Sequence, residues 1–288
     1  MIRKEISCPI CKTSVLSPLF NGKILNKYDV SYYKCGHCKF LFTEEAYWFN
    51  ESYSTVIANT DIGLINRNLF LSKITRDLIN RNFDYRRKFL DYAGGYGMFV
   101  RIMRDEGYDF YRQDKYCENM FAKFFDISDF EKEINLNKHF ELLTAFEVFE
   151  HLKDPLDEIS NMFSYSDSIL FTTEMYKEEY LGNTKNWWYF SPATGQHISF
   201  YSKETFEYIS RELSCSYYND QNIHLLTYKK FTHNPLSQTR RNDNIFYSSV
   251  RRACGKILQL LDGKPENIIT IKGKLPDDFE YVKKKNKL

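Results

Sequence analysis

Two C-x2-C pairs, Cys8-Pro-Ile-Cys11 and Cys35-Gly-His-Cys38, stand 23 residues apart near the start of the chain. Two residues between thiols, with Pro or Gly at the knuckle, let both sulfurs face one ion, and four thiolates complete a closed tetrahedral zinc shell. The spacing predicts a structural zinc site on Cys8, Cys11, Cys35 and Cys38, with a redox pair as the competing chemistry and His37 as a substitute ligand. Four protein ligands leave no open position, so such a zinc shapes the protein rather than acting on a substrate. The intervening KILNKYDV and SYYKC are strand-like and suit a zinc ribbon.

A second set of chemistry-bearing residues runs from Asp91 to Asp114. Arg86 to Ala93 reads as a short buried strand, Gly94-Gly95-Tyr96-Gly97 as a tight turn, and Met98 to Arg104 as the start of a helix. Glycines at the mouth of a strand let backbone approach a ligand where a Cβ would collide. Tyr108 to Tyr111 then predicts a second strand ending near Asp114, whose carboxylate can accept hydrogen bonds from both hydroxyls of a ribose. The order strand, turn, helix, strand, acid points to a nucleotide-bearing ligand. Nicotinamide is one reading, but the G-x-G-x-x-G spacing is missing.

Asp91-x-Ala93-x-Gly95-x-Gly97 instead resembles the first motif of class I S-adenosylmethionine-dependent methyltransferases, D/E-x-G-x-G-x-G, with Ala93 in place of the first glycine. Phe140 to Pro155 looks like these enzymes' fourth strand followed by their E-H-L-x-D-P turn, and Ser168 to Thr173 like the fifth strand. The block from Trp187 to Ser202, W-W-Y…P-x-T-G-Q-H-I-S-F-Y-S, resembles a bacterial subgroup of zinc-ribbon methyltransferases associated with surface-glycan or modified-sugar pathways. The segment AYWFNESY…NTDIGLINRN is similar to the same subgroup. Sugar C-methyltransferases with a zinc module are more distant relatives, and this chain lacks room for their second large C-terminal domain. The resemblance spans roughly residues 8–228.

The resemblance implies an α/β fold: a Rossmann-like class I methyltransferase sheet with helices on both faces, plus a small N-terminal zinc ribbon. It divides the chain into a ribbon (1–42), a helical connector or lid (43–85), a cofactor-binding domain (86–228) and an appendage (229–288). It implies S-adenosyl-L-methionine as cofactor. Asp91 and Gly95 are expected near its methionine part, in a turn completed by Ala93, Gly94 and Gly97. Asp114 is expected on the ribose, Tyr116 on the adenine, and Phe146 and Glu147 as walls beside the methionine.

Methyl transfer from a sulfonium is an in-line displacement, so the enzyme chiefly positions the acceptor, and a hydroxyl acceptor also needs a base. Imidazole suits that task near neutral pH. His197, in a loop beyond the fifth strand, is the first candidate; Glu174, His151 and Glu150 belong to the same edge and orient or replace it. His151 equally fits a role bonding backbone at a helix start. Trp187, Trp188 and Tyr189 either stack on a sugar ring or fill a core. O-methylation of a small, sugar-containing or nucleotide-linked sugar acceptor is the leading expectation, and no metal beyond the zinc is predicted.

The elements that must position these residues are less sharply written. A helix is expected from Thr60 or Asp61, with Ile62, Ile65, Leu69, Leu78 and Ile79 as its apolar stripe and Asn80 to Asn82 at its end. Leu225 to Tyr228 reads as a final edge strand, and Ser248 to Leu261 as an amphipathic helix with Val250, Cys254, Ile257 and Leu261 on one face. That appendage is expected to cover the core or a second subunit, so an oligomer is possible.

Composition bounds the reading. The 288 residues are 43% hydrophobic and 27% charged, a soluble globular balance, and no apolar run of about 18 residues predicts a spanning helix. MIRKEISCPICK lacks the apolar core of a secretion signal, and seven cysteines do not make a disulfide scaffold; a reducing cytoplasm is the expected home. Basic ends enclose an acidic middle: residues 1–42 carry seven Lys/Arg against two Asp/Glu, residues 229–288 fourteen against six. Such ends could recruit RNA. The acidic middle, and the lack of an asparagine-proline-proline-aromatic motif, argue against nucleic acid as the partner. The 24 Phe and 22 Tyr fit either an AT-rich genome or a ring-lined cleft.

Overall fold

The computed structural model describes residues 6–53, 63–130, 140–237 and 273–285. The chain opens with β1 (Ile6–Ser7) and β2 (Ser14–Val15), a short antiparallel pair around the first cysteine knuckle. Then β3 (Phe20–Ile24), β4 (Tyr28–Lys34) and β5 (Leu41–Thr43) form an antiparallel meander. KILNKYDV is therefore not one strand. Leu25 and Asn26 take positive φ, 53° and 55°, and turn the chain between β3 and β4.

After α1 (Phe49–Ser52), α2 spans Leu64–Asn82 and ends where the asparagines predicted. Its buried face is Leu71, Ile74, Thr75, Leu78 and Ile79, a clean i, i+3, i+4, i+7, i+8 stripe. Ile65 and Leu69, expected in the stripe, are exposed, because the helix phase that buries Leu78 turns them outward. Thr60, Asp61 and Ile62 lie outside the described residues.

The centre is a six-stranded sheet built from β6 (Lys88–Tyr92), β7 (Asp109–Gln113), β8 (Leu142–Phe146) and β9 (Ser168–Thr172), joined by two later strands. Its helices include α3 (Met98–Asp105) and α5 (Pro155–Phe163), while α4 (Ile127–Phe130) is a single turn. Further along come β10 (Ser199–Phe200), α6 (Lys203–Glu212), β11 (Ser216–Asp220) and β12 (Ile223–Thr227). The order is β11-β12-β9-β8-β6-β7, with β6 to β9 parallel and β12 antiparallel to both its neighbours. The predicted last strand is thus not at the edge. Its residues are all buried, and β11, which carries no continuous apolar run, is the edge strand.

Parallel strands covered on both faces read as continuous apolar runs, and Phe89, Leu90, Leu142, Leu143, Ile169, Leu170 and Phe171 are fully buried. From β6 the chain crosses by α3 to β7 on one side, and from β8 by α5 to β9 on the other. Right-handed crossovers put these helices on opposite faces and leave a crevice between the carboxyl ends of β6 and β8.

Two further contacts matter for the site. β10 pairs with β5, Ser199 opposite Phe42 and Phe200 opposite Leu41, so the N-terminal sheet takes its fourth strand from far along the chain. The expected boundary at residue 42 falls inside β5. At the other end, the helix Leu275–Lys285 docks on α3: Asp278, buried, accepts from Arg104 Nε at 2.8 Å and Nη2 at 2.7 Å. The expected helix over Ser248–Leu261, with Cys254, lies outside the described residues. Among the described residues, no helix is long and apolar enough to cross a membrane.

Candidate active site

The glycine turn closes the crevice end of β6. Asp91 is paired in register with Arg112 on β7 and Thr144 on β8. Its carboxylate accepts from Thr144 Oγ1 at 2.7 Å and is buried, which pushes its pKa up to about 7. A Cβ on Gly94 would lie 2.5 Å from Asp91 Oδ2, so here the missing side chain makes room for the protein's own carboxylate rather than for a ligand. Gly95 differs: φ is +53° and a Cβ would meet nothing within 4 Å, so backbone at this point is open to an approaching molecule. Ala93 also takes a positive φ, 53°, a conformation that costs a residue with a Cβ about 1 kcal/mol.

Asp114 reaches back to this turn. Its Oδ2 accepts from the Gly95 N–H at 3.0 Å, and its Oδ1 accepts from the N–H groups of Tyr116 and Cys117 at 2.8 Å each. The acid expected on a ribose therefore also ties the end of β7 to the glycine turn. Arg112, buried, holds the other side: its guanidinium donates to the carbonyls of Gly95 and Cys117 and pairs with Asp126, Nε to Oδ1 at 2.6 Å. Tyr116 is 92% exposed and free to lie against a ligand beyond the turn.

Across the crevice, β8 ends in Phe146 and Glu147. Phe146 stands edge-on to Phe99 of α3, centroids 5.0 Å apart. Glu147, at φ +55°, has its N–H on Thr172 Oγ1 (3.0 Å) and accepts from that hydroxyl through Oε1 (2.7 Å). A 3-10 turn over Phe149–His151 follows, and it faces the loop carrying His197. The two imidazoles meet edge to face with centroids 5.0 Å apart. One nitrogen from each ring and one oxygen of Glu150 all lie within 4.8 Å of one another.

Each ring is pinned through Nδ1: His197 on the carbonyl of Tyr189 at 2.7 Å, His151 on the carbonyl of Gln196 at 3.1 Å, with Tyr53 Oη 2.9 Å away. A carbonyl can only accept, so His197 Nδ1 carries the proton and its Nε2 keeps the lone pair; His151 takes the same tautomer where its Nδ1 donates to the Gln196 carbonyl rather than accepting from the Tyr53 hydroxyl. Burial depresses both histidines, His197 to about 4 and His151, helped by its neighbour ring, to about 3. Glu150 is fully buried, and neither carboxylate oxygen has a hydrogen-bond partner. The Tyr189 and Thr173 hydroxyls, 3.1 Å from each other, lie nearby and soften a pKa that burial and the Glu147 charge raise to about 8. Glu174 stands outside this trio, half-buried, accepting from Asn222 Nδ2 at 3.3 Å, its pKa raised by burial and by Glu147.

The aromatic block divides. Trp187 and Tyr189 are buried in a core shared with Phe20, Ile24, Tyr32 and Trp48 of the N-terminal segment, whereas Trp188 is 73% exposed. The same segment grips the His197 loop by its backbone: Trp48 Nε1 donates to the Gly195 carbonyl at 2.8 Å and Gln196 Nε2 to the Ser52 carbonyl at 2.8 Å.

The four cysteines converge as their spacing predicts. Cys8 and Cys38 sulfurs are 3.5 Å apart, Cys11 and Cys35 sulfurs 3.4 Å, all four within one 4.8 Å cluster. Zinc–sulfur bonds of 2.3 Å in a tetrahedron separate sulfurs by about 3.8 Å, so the set fits such an ion. His37 is not in the cluster; its ring stands edge-on to Tyr208.

Tertiary structure also adds site residues that the motifs do not name. Thr144 holds Asp91, Thr172 holds Glu147, and Arg112 braces the turn. Arg112 has a visible signal, a cation inside the otherwise apolar-facing strand DFYRQ. The two threonines have none, since a threonine in a strand is ordinary.

A family model described as "Methyltransferase domain" matches residues 66–213, half of the chain, from α2 through α6. No curated protein matches the sequence. Among solved structures, the chain is similar to the plantazolicin methyltransferase BpumL in complex with SAH (8% identity, TM-score 0.41, covering 57% of this chain and 84% of that one). It is similar also to magnesium protoporphyrin IX methyltransferase from Synechocystis PCC 6803 with bound SAH (12%, TM-score 0.40, 62% and 90%) and to WbdD (15%, TM-score 0.35, 59% and 41%). With Asp91, the open backbone at Gly95 and Asp114 gathered at the crevice of a Rossmann-like sheet, the chain belongs to the methyltransferase-domain family, the S-adenosylmethionine-dependent enzymes of this fold.

Proposed function

We propose that the protein transfers a methyl group from S-adenosylmethionine to a hydroxyl of a small, sugar-containing acceptor, in surface-glycan or modified-sugar synthesis in the cytoplasm. The observation that carries this is the pairing, across one crevice, of a glycine turn open at Gly95 with the trio of buried Glu150 and half-buried His151 and His197. When bound, the cofactor supplies the electrophilic methyl carbon. The chain's part is to hold it and to present the acceptor.

The open backbone at Gly95 receives the methionine part above Asp91, whose burial raises its pKa to about 7, so that near neutral pH a protonated, hydrogen-bond-donating form coexists with the ionised one. Asp114 faces the ribose while keeping the turn closed, and Tyr116 covers the adenine. Phe146 and Glu147 line the methionine side. The acceptor hydroxyl lies against the trio, which holds its oxygen and promotes loss of its proton, with His197 foremost and His151, Glu150 and Glu174 supporting it. Exposed Trp188 offers a ring face to a sugar. Four thiolates around zinc hold the N-terminal segment, which in turn holds the His197 loop.

Calorimetry with S-adenosylmethionine on the zinc-loaded protein should show one site per chain, and absence of binding would end this reading. With nucleotide-linked sugars as acceptors, His197→Ala should lose turnover and keep cofactor affinity; full activity removes the role given to His197.

A further inference from the structure

Glu150 presents a problem that the methyltransferase fold by itself does not solve. A carboxyl group with no solvent exposure and no hydrogen bond to either oxygen is costly unless something completes it. Among the described residues no lysine or arginine forms an ion pair with it. Beside the Tyr189 and Thr173 hydroxyls, what lies close to it is two imidazoles. His197 has Nδ1–H on the Tyr189 carbonyl, His151 has Nδ1 against the Gln196 carbonyl and the Tyr53 hydroxyl, and neither Nε2 makes a hydrogen bond among the described residues. Ligating histidines are commonly oriented in this way, the far nitrogen donating to a carbonyl so that tautomer and ring plane are set.

We infer that Glu150, His151 and His197 form a second metal site, distinct from the four cysteines, which takes a divalent first-row cation of the zinc class and leaves coordination positions open for the acceptor hydroxyl. The inference rests on the proposed function and deepens it, since it names what the trio uses to promote proton loss. Two nitrogens and one carboxylate oxygen suit zinc, iron or cobalt, not the all-oxygen shells of magnesium and calcium. Ligand atoms around one such cation stand about 3.0–3.4 Å apart, and the trio's atoms lie within 4.8 Å of one another, so closing on an ion takes side-chain movements of at most about 1 Å. Three protein ligands leave room for substrate, the pattern of catalytic rather than structural zinc.

The chemistry balances without a further reactant. A cation on the acceptor oxygen lowers the hydroxyl's pKa, and its proton leaves to water. An oxygen lone pair forms the new bond to the methyl carbon, and the pair of the broken sulfur–carbon bond stays on sulfur. Tyr53, whose hydroxyl meets His151 Nδ1 on the far side of the ring from the ligating nitrogen, is an outer partner that steadies it.

Cobalt(II) titration of the metal-stripped full-length chain tests the site. Two equivalents should bind: one with the strong sulfur charge-transfer absorption of a thiolate site, the other with only the weak ligand-field bands of nitrogen and oxygen ligands. Glu150→Gln and His197→Gln should each weaken the second equivalent at least about 100-fold, more than loss of an outer partner usually costs, and leave the first unchanged. Retention of the thiolate-site spectrum and of the thermal transition shows that each variant is folded. A single cobalt equivalent, or a second one unaffected by both substitutions, overturns the inference. Calorimetry with S-adenosylmethionine on the same samples separates the two readings: binding with one cobalt sinks the metal site alone, and two cobalts without cofactor binding support the site while sinking the methyltransferase reading.

Discussion

Asp91 shows how a motif residue can be recognised in sequence while its physical task stays hidden. Its carboxylate sits beneath Gly94, held by Thr144 and shut away from water, with a pKa near 7. In the unfolded chain it titrates near 3.9. Between those values the unfolded state is ionised while the folded state keeps its proton, so stability falls as pH rises, and above about pH 7 the whole cost is present. Asp91→Asn keeps the acceptor for Thr144 and removes the titration. Cofactor-free wild type should therefore lose up to about 4 kcal/mol relative to the variant between pH 4 and pH 8, read from urea midpoints at several pH values. A difference that stays constant with pH would show that Asp91 is not buried in this way. His224 acts in the opposite direction: buried between Tyr217 and Thr173 and depressed to about 4, it loses stability as pH falls from about 6.5 towards 4, which makes the isosteric comparison necessary.

Among elements, the most consequential contact is one that no local pattern announces. The helix Leu275–Lys285 is joined to α3 by the Asp278–Arg104 pair, with Arg101 adding a bond to Asp278 at 3.0 Å. Arg104 also lies over the Phe125 ring at 3.7 Å, and Tyr281 stacks obliquely on the same ring. Without Asp278, Arg104 keeps its ion pair with Asp109 Oδ1 at 2.8 Å, so what is lost is the set of charge-assisted bonds to Asp278, about 1.5–3 kcal/mol. Asp278→Ala should cost that much in equilibrium unfolding, and a cost below about 1 kcal/mol would mean that the helix is only loosely attached. Residue patterns located α3, β6 and β7 closely, because buried strands and amphipathic helices write their environment into residue type, and the family resemblance located β9. The patterns misplaced the stripe of α2 and the edge of the sheet. Exposed Ile65 and Leu69 look no different in sequence from buried Leu71, and an antiparallel strand inserted between β9 and β11 is an outcome of topology, not of propensity.

Across the whole molecule, the N-terminal segment acts on the crevice from a distance. The cysteine cluster belongs to the same continuous core as the central sheet, and β5 carries β10 in its own sheet. Gly195, at φ +66° with Ile24 and Ser52 where a Cβ would be, marks how closely the His197 loop lies on that segment. Withdrawing the proposed zinc should therefore disturb more than the first 42 residues. Chelation is expected to lower the thermal midpoint by several degrees and to raise amide hydrogen exchange over residues 187–200, with cofactor affinity falling less than loop protection. Unchanged exchange in that loop would show the segment to be an independent module.

The sequence by itself determined the ingredients: four thiols at zinc spacing, an acid–glycine turn, an Asp at the end of the next strand, and an E-H-L-x-D-P turn after another. These are legible because each depends on short separations along the chain, where backbone geometry and residue type are directly linked. Which residues meet across long separations was decided only by the tertiary structure. It brings His197 to Glu150 and His151 and leaves Glu174 outside, buries Trp187 and Tyr189 while exposing Trp188, and spends the space at Gly94 on Asp91. The physical reason is that a side chain's partners across a crevice are set by strand order and crossover hand, and neither is written in any local stretch of residues.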